Sequence, residues 1–310
     1  MSTEAGKGLR IGLQLPVVNT YTGAVWGDEV MAVGLADALR RQPGVAEAEV
    51  YDLTTIHDNL DLIISFYPWP ECRLVAGPRQ AWWFQAPRLR PPDGPIDQAV
   101  PRYEAIFCAG PQLVGRVRAA GGQRTLFLPM SANPEVYRPV EPRPELTHPI
   151  VFCANHNRTR EEIDRFIVPL LPLGLAIYGR GWEREPDLVA SGCLRGAIHP
   201  HDVPALYSSC DLVLSCHTPW HRLNDVPTSR LWEATCCGAA ILSDRLPTAE
   251  KLFGDTIIFS DGGDELARAA QMLLAQPELR RSLAQRARQR VVAGLTFDHH
   301  AARMLQFLGV

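Results

Sequence analysis

The feature that most limits how this chain can fold is an alternation of short apolar runs with helical stretches, interrupted once and then begun again. Leu9 to Leu15 opens the first series, and apolar runs follow at 49–51, 60–66, 81–85, 105–108 and 125–128. Between them, Val30, Met31, Val33, Leu35, Ala38 and Leu39 recur at helical spacing, and 111–120 supplies another helix. The second series starts at Ile150-Val151-Phe152-Cys153-Ala154 and continues at 175–179, 194–198, 212–214, 239–242 and 257–259. Short strands alternating with helices predict mostly parallel sheets that take ligands at their strand carboxyl ends. Two such series in 310 residues predict two Rossmann-like α/β domains rather than one core. The interruption carries Pro134, Pro139, Pro142, Pro144 and Pro149 among charges, the composition of a semi-rigid connection. The expected division is a first domain over 1–135, a linker over 136–149, a second domain over 150–294 and a closing helix over 295–310.

Composition excludes several classes. Hydrophobic content of 46% with 21% charged residues is that of a globular protein. A net charge of −3 supplies no basic field for nucleic acid. No apolar run approaches the roughly 20 residues that span a bilayer, and the polar start leads straight into a strand, so a cytoplasmic protein is expected. None of the eight cysteines forms a Cys-x-x-Cys pair, so no zinc knuckle is expected. Cys108, Cys153, Cys210 and Cys216 lie in or beside apolar runs, as small buried residues do. No Gly-x-Gly-x-x-Gly follows a strand and no Gly-x-x-x-x-Gly-Lys occurs, which argues against dinucleotide and P-loop chemistry.

The chemistry concentrates in Asn224-Asp225-Val226-Pro227-Thr228-Ser229-Arg230-Leu231-Trp232-Glu233-Ala234-Thr235-Cys236-Cys237-Gly238. Thr228 or Ser229 is placed to cap a helix that Gly238 ends. The amides of Thr228, Ser229 and Arg230 then suit an anion such as a diphosphate. Asp225 precedes that helix start, and Glu233 lies on its first turns.

An acid, seven residues, then an acid on a helix ending Ala-x-x-Gly resembles the donor site of GT-B glycosyltransferases. The likeness is to retaining enzymes of family 4 and their spore-maturation-like relatives. Ser-Arg-Leu-Trp-Glu-Ala, Gly-Ala-Ala-Ile-Leu-Ser and Leu-Phe-Gly-Asp follow one another in the family's order, and the resemblance covers roughly 150–305. It implies two Rossmann-like domains facing across a cleft, the first for the acceptor and the second for a nucleotide-sugar donor, with the closing helix packing back on the first.

The same resemblance implies roles. Asp225, where the family has Glu, would hold sugar hydroxyls near the reacting carbon, and Glu233 the ribose. Arg158, favoured over Arg160, would neutralise the leaving diphosphate. Asn155 lies in the same loop, Ile198 and His199 stand where the base is expected, and Gly23 lies in a loop resembling the glycine loop over the donor phosphates. Transfer would be retaining and metal-independent (EC 2.4), since no Asp-x-Asp occurs; no cofactor is expected beyond the donor, and the donor base and the acceptor stay open. An inverting reaction would need a base in the first domain, where Asp28 and Asp58 are available. A nucleotide-sugar 2-epimerase using His156, His217 or His221 is an alternative, as is a nucleotide-binding module without catalysis. A metal pair at His199 and His201 lacks a third ligand. The aromatics of 67–70 and 82–85 suit either stacking on a ligand or a core.

Overall fold

Apolar runs buried along their whole length form the centre of both sheets, the pattern of parallel strands covered on two faces. The structure, a computed structural model, describes residues 8–16, 18, 27–54, 59–85 and 96–310. Its strands are β1 (Leu9–Gln14), β2 (Val45–Tyr51), β3 (Leu62–Ser65), β4 (Arg79–Phe84), β5 (Ala105–Cys108), β6 (Thr125–Phe127), β7 (Ile150–Cys153), β8 (Leu175–Tyr178), β9 (Leu194–Gly196), β10 (Leu212–Ser215), β11 (Ala240–Asp244) and β12 (Ile258–Ser260). The helices are α1 (Gly27–Arg40), α2 (Ile96–Ala99), α3 (Pro111–Ala119), α4 (Arg160–Glu162), α5 (Pro186–Ser191), α6 (Val203–Ser209), α7 (Pro219–Asn224), α8 (Arg230–Cys236), α9 (Pro247–Phe253), α10 (Gly263–Ala275), α11 (Pro277–Gly294) and α12 (Phe297–Leu308). Contacts divide the chain into two units, residues 1–133 with 296–310, and residues 134–295.

The first unit holds an all-parallel sheet in the order β2-β1-β3-β4-β5-β6. Trp82, Trp83, Phe84 and Phe107 are buried in it, so the aromatic run of β4 is core rather than a stacking surface. Helix α12 lies on α1, and Gly34 makes the approach possible: a Cβ there would stand 2.8 Å from the Phe297 ring. His300, fully buried, is tied to the Pro129 carbonyl at 2.8 Å, and burial pushes its pKa down to about 3.

The second unit holds another all-parallel sheet, ordered β12-β11-β10-β7-β8-β9. From its own first strand this is the doubly wound order, with the reversal of direction between β7 and β10. The proline-rich segment is fastened to this unit. Ser208 and Ser209 of α6 accept from the Val140 and Arg143 amides at 3.1 and 2.8 Å. Two local features add to the plain alternation of strand and helix. The helix after β7 is α4 for one turn only, capped by Thr159 and Glu162, and then passes into a π-turn at Ile163–Ile167 and a 3₁₀ turn at Val168–Leu173. Pro169 and Pro172 lack the N–H that an α-helix would need there. Residues 219–224 form α7 with Thr218 as its cap.

Candidate donor site at the reversal of the second sheet

The ladder between β7 and β10 pairs Ile150 with Leu212 and Val151 with Val213, and goes no further. Beyond that point the carboxyl ends of the two strands leave backbone carbonyls for other partners. Two arginines take them. Arg230 Nε donates to the Cys153 carbonyl at 2.9 Å, and Arg158 Nη2 donates to the Cys216 carbonyl at 2.6 Å. Both guanidiniums lie over the Phe152 ring, at 4.9 Å for Arg230 and 5.5 Å for Arg158.

These cations are expensive as they stand. Each residue is 8% exposed, and Arg158 Nε and Arg230 Nη1 are buried without a hydrogen-bond partner among the described residues. A buried donor left unsatisfied costs about 1–3 kcal/mol, and more when charged. Burial lowers the Arg158 pKa, and the Arg230 charge lowers it further; the guanidinium remains protonated at any ordinary pH. Arg158 also donates to Asn157. His221, alongside, is driven well below the usual histidine range by burial, then by His217 and the two arginines, and is neutral. Like charges with idle donors in an apolar setting are what an anion would complete.

A buried network holds this arrangement. His217 has no exposure, and its Nε2 accepts the Thr228 amide at 3.2 Å, which puts its proton on Nδ1, 2.5 Å from Asp244 Oδ1. Both Asp244 oxygens also accept the His217 amide at 3.1 Å. Arg222 donates to Asp244 at 3.0 Å and to Glu162, whose other oxygen accepts the Thr159 amide at 2.8 Å. Burial alone would raise Asp244, but His217 and Arg222 outweigh it and hold the carboxyl below its usual range.

The other expected residues fall into place as follows. Neither Thr228 nor Ser229 caps α8 with its side chain; Ser229 already has helical φ and ψ, and the Thr228 amide, expected to be free for an anion, is spent on His217. Thr228 Oγ1 instead meets Ser215 Oγ at 3.4 Å. Glu233 is half-buried; desolvation raises its pKa, opposed by Ser229 and Arg230. Tyr137 and Tyr207 lie close enough for its charge to raise their pKa beyond the effect of burial, so both stay neutral phenols. Asp225 is 9% exposed in a left-handed conformation, φ 51°. Its two oxygens accept the Thr248 amide at 2.9 Å and hydroxyl at 2.7 Å, at the start of α9.

Asn155 is exposed and fastens two loops, accepting the Arg180 amide at 2.9 Å. The loops meet because Gly179, with φ 144°, leaves room for Ala154; a Cβ there would be 1.9 Å from the Ala154 carbonyl oxygen. Ile198 packs on Val151, Ala176, Tyr178 and Leu206. His199 is exposed and caps its own 3₁₀ turn by accepting the His201 amide at 3.3 Å. Arg160 points to the surface, with Asp164 at 2.7 Å, Asp187 at 2.6 Å and Glu185 at 3.5 Å. His156 is tied to Glu185 at 2.8 Å. Asp28 pairs with the Tyr67 hydroxyl. Gly23 and Asp58 lie outside the described residues. Among the described residues, no group of three or more His, Cys, Asp or Glu side chains could hold a metal ion, and no helix is long and apolar enough to cross a membrane.

Sequence reasoning passed over Phe152 and Asp244. The one signal for Asp244 was an acid two residues beyond the apolar run 239–242, where a charge is tolerated only with partners.

Comparison with known proteins bears on this unit first. The family model described as "Glycosyl transferase-like" matches residues 158–306, a span that begins at Arg158 and contains Arg230, Glu233 and Asp244. No curated protein matches the sequence. Solved structures match over nearly the whole chain. Sucrose-phosphate synthase from Thermosynechococcus elongatus is 16% identical, with 97% of this chain and 98% of that chain covered and a TM-score of 0.67. HepE of Anabaena, solved with UDP and glucose, is 14% identical over 96% and 99% of the two chains, with a TM-score of 0.62. A DNA-modifying β-glucosyltransferase, solved with and without uridine diphosphoglucose, is 13% identical over 97% and 100%, with a TM-score of 0.67. The fold is therefore that of the GT-B glycosyltransferases. Within that fold, residues 158–306 are similar to the glycosyl transferase-like family.

Proposed function

We propose that residues 134–295 bind a nucleotide-diphosphate sugar, with the diphosphate between Arg158 and Arg230, and that the enzyme passes the sugar to an acceptor with retention and without a metal. The observation that carries this reading is the pair of buried guanidiniums with idle N–H groups. Breaking the anomeric bond places negative charge on the leaving diphosphate, and preorganised cations are worth most where charge develops. Glu233 takes the ribose hydroxyls. A carboxylate has about four lone-pair sites, so Asp225 keeps sites beyond those that Thr248 uses, and they serve the sugar hydroxyls. A uracil base is favoured because HepE and the β-glucosyltransferase were solved with uridine nucleotides.

One observation favours a second reading, a nucleotide-binding module without transfer: both Asp225 oxygens are already engaged. Thermal-shift titration with UDP-, GDP- and dTDP-sugars, followed by assay of sugar release, separates the two. Ligand at a hundred times its Kd stabilises the native state by about 2.7 kcal/mol. The transfer reading expects a raised midpoint with one donor and release that disappears in Asp225→Ala and Glu233→Ala. Binding without release supports the second reading, and no shift with any donor refutes both.

A further inference from the structure

One short segment registers both arginines. The Cys216 carbonyl accepts from Arg158, and the next residue, His217, accepts the amide of Thr228, two positions before Arg230. Asp244 holds that segment from beneath by three contacts: two with the His217 amide and one with its ring. Neither His217 nor Asp244 is exposed enough to be a surface ligand, at 0% and 1%. We infer that Asp244 and His217 are positioning residues of the diphosphate site, holding the Arg158 and Arg230 guanidiniums over Phe152; this rests on the donor reading above.

The tautomer is the working part. With a carboxylate at position 244, the His217 proton sits on Nδ1 and Nε2 is a lone pair for the Thr228 amide. The amide introduced by Asp244→Asn can offer N–H to Nδ1, which drives the proton to Nε2 and sets donor against donor at Thr228. The Thr228–Arg230 segment then shifts while every group proposed to touch the donor is unchanged. His217→Leu removes the acceptor outright. His217→Gln keeps one acceptor and one donor on a planar amide and restores the bridge.

The test is binding of UDP and of uridine to the full chain, by calorimetry and ligand-observed NMR, in wild type, Asp244→Asn, His217→Leu and His217→Gln. The expected result is a loss of at least about tenfold in UDP affinity for Asp244→Asn and His217→Leu. Uridine, which has no phosphate, keeps its affinity, and His217→Gln stays within about threefold of wild type for both ligands. UDP affinity unchanged in Asp244→Asn overturns the inference, as does parallel loss of UDP and uridine in a folded Asp244→Asn, which marks general damage. If Asp244→Asn and His217→Leu do not fold, His217→Gln decides: UDP lost with uridine retained overturns the bridge, and UDP retained supports it. Wild type that binds no nucleotide removes the donor reading itself, and the inference with it.

Discussion

The two sheets reverse direction at equivalent places, and the molecule treats the two places in opposite ways. In the first sheet the reversal lies between β1 and β3, where Gln14 and Ser65 stand side by side, buried and uncharged. In the second it lies between β7 and β10, where Arg158, Arg230, His217 and Asp244 are buried, three of them able to carry charge at any ordinary pH. The same topology offers a ligand site in both units, but only the second places arginines there with N–H groups left unpartnered among the described residues. Burying a charge without a partner is costly, so its persistence there marks the place where a partner of opposite charge is supplied from outside. A second contrast, within one loop, makes the same point: Arg160 has three carboxylates around it at the surface, and Arg158, two residues earlier, has none within salt-bridge distance among the described residues.

The largest effect expected from this contrast concerns the arginines. Arg158→Met and Arg230→Met should each weaken UDP binding by about tenfold to a hundredfold, the worth of a charge-assisted hydrogen bond of about 1.5–3 kcal/mol. Arg160→Gln should change it by less than about twofold, as exposed ion pairs contribute little. Without nucleotide, Arg158→Met should have a higher thermal midpoint than wild type, since the buried charge is gone. Calorimetry and thermal denaturation check both, and equal losses for Arg158 and Arg160 would erase the contrast.

A smaller effect belongs to Glu233. Its folded pKa lies above its unfolded one, so its stabilising share is complete below the unfolded value, near 4.3, and is lost as pH rises through the folded value. Glu233→Gln should therefore gain stability relative to wild type as pH climbs from about 4 toward neutrality, while losing about tenfold in UDP affinity. Denaturant midpoints across that range test the sign; a gain that shrinks with pH would contradict it.

The smallest effect is in the first sheet, one strand away from its reversal. Gln85, which follows β4, is buried with both amide atoms lacking partners. Gln85→Leu should leave UDP affinity unchanged and keep or raise stability by about 1 kcal/mol, read from the denaturant midpoint. A drop in UDP affinity would show that the first sheet shares the anion's site.

How much of this was legible in the sequence differs between fold and site. The apolar runs gave nearly every strand, because a parallel strand buried on both faces has to be apolar throughout. The π and 3₁₀ turns of residues 163–173, around Pro169 and Pro172, left no mark in the apolar spacing. At the site, Arg158 was legible as a cation after a strand, and Arg230 only as an amide at a helix start. That they share Phe152 was not, since 72 positions separate the arginines and only the order of strands brings them together. The helix-start reading overvalued Thr228: its amide looked free in sequence, but a histidine 11 residues earlier takes it. Asp225 looked like a sugar ligand, and its bond to Thr248, 23 residues on, could not be foreseen from spacing.

The most direct test is a crystal structure of the wild-type chain with UDP. The account predicts the diphosphate over Phe152, with its oxygens about 3 Å from Arg158 Nε and Arg230 Nη1 and the ribose at Glu233. Phosphates bound elsewhere, with those two nitrogens still unpartnered, would contradict it.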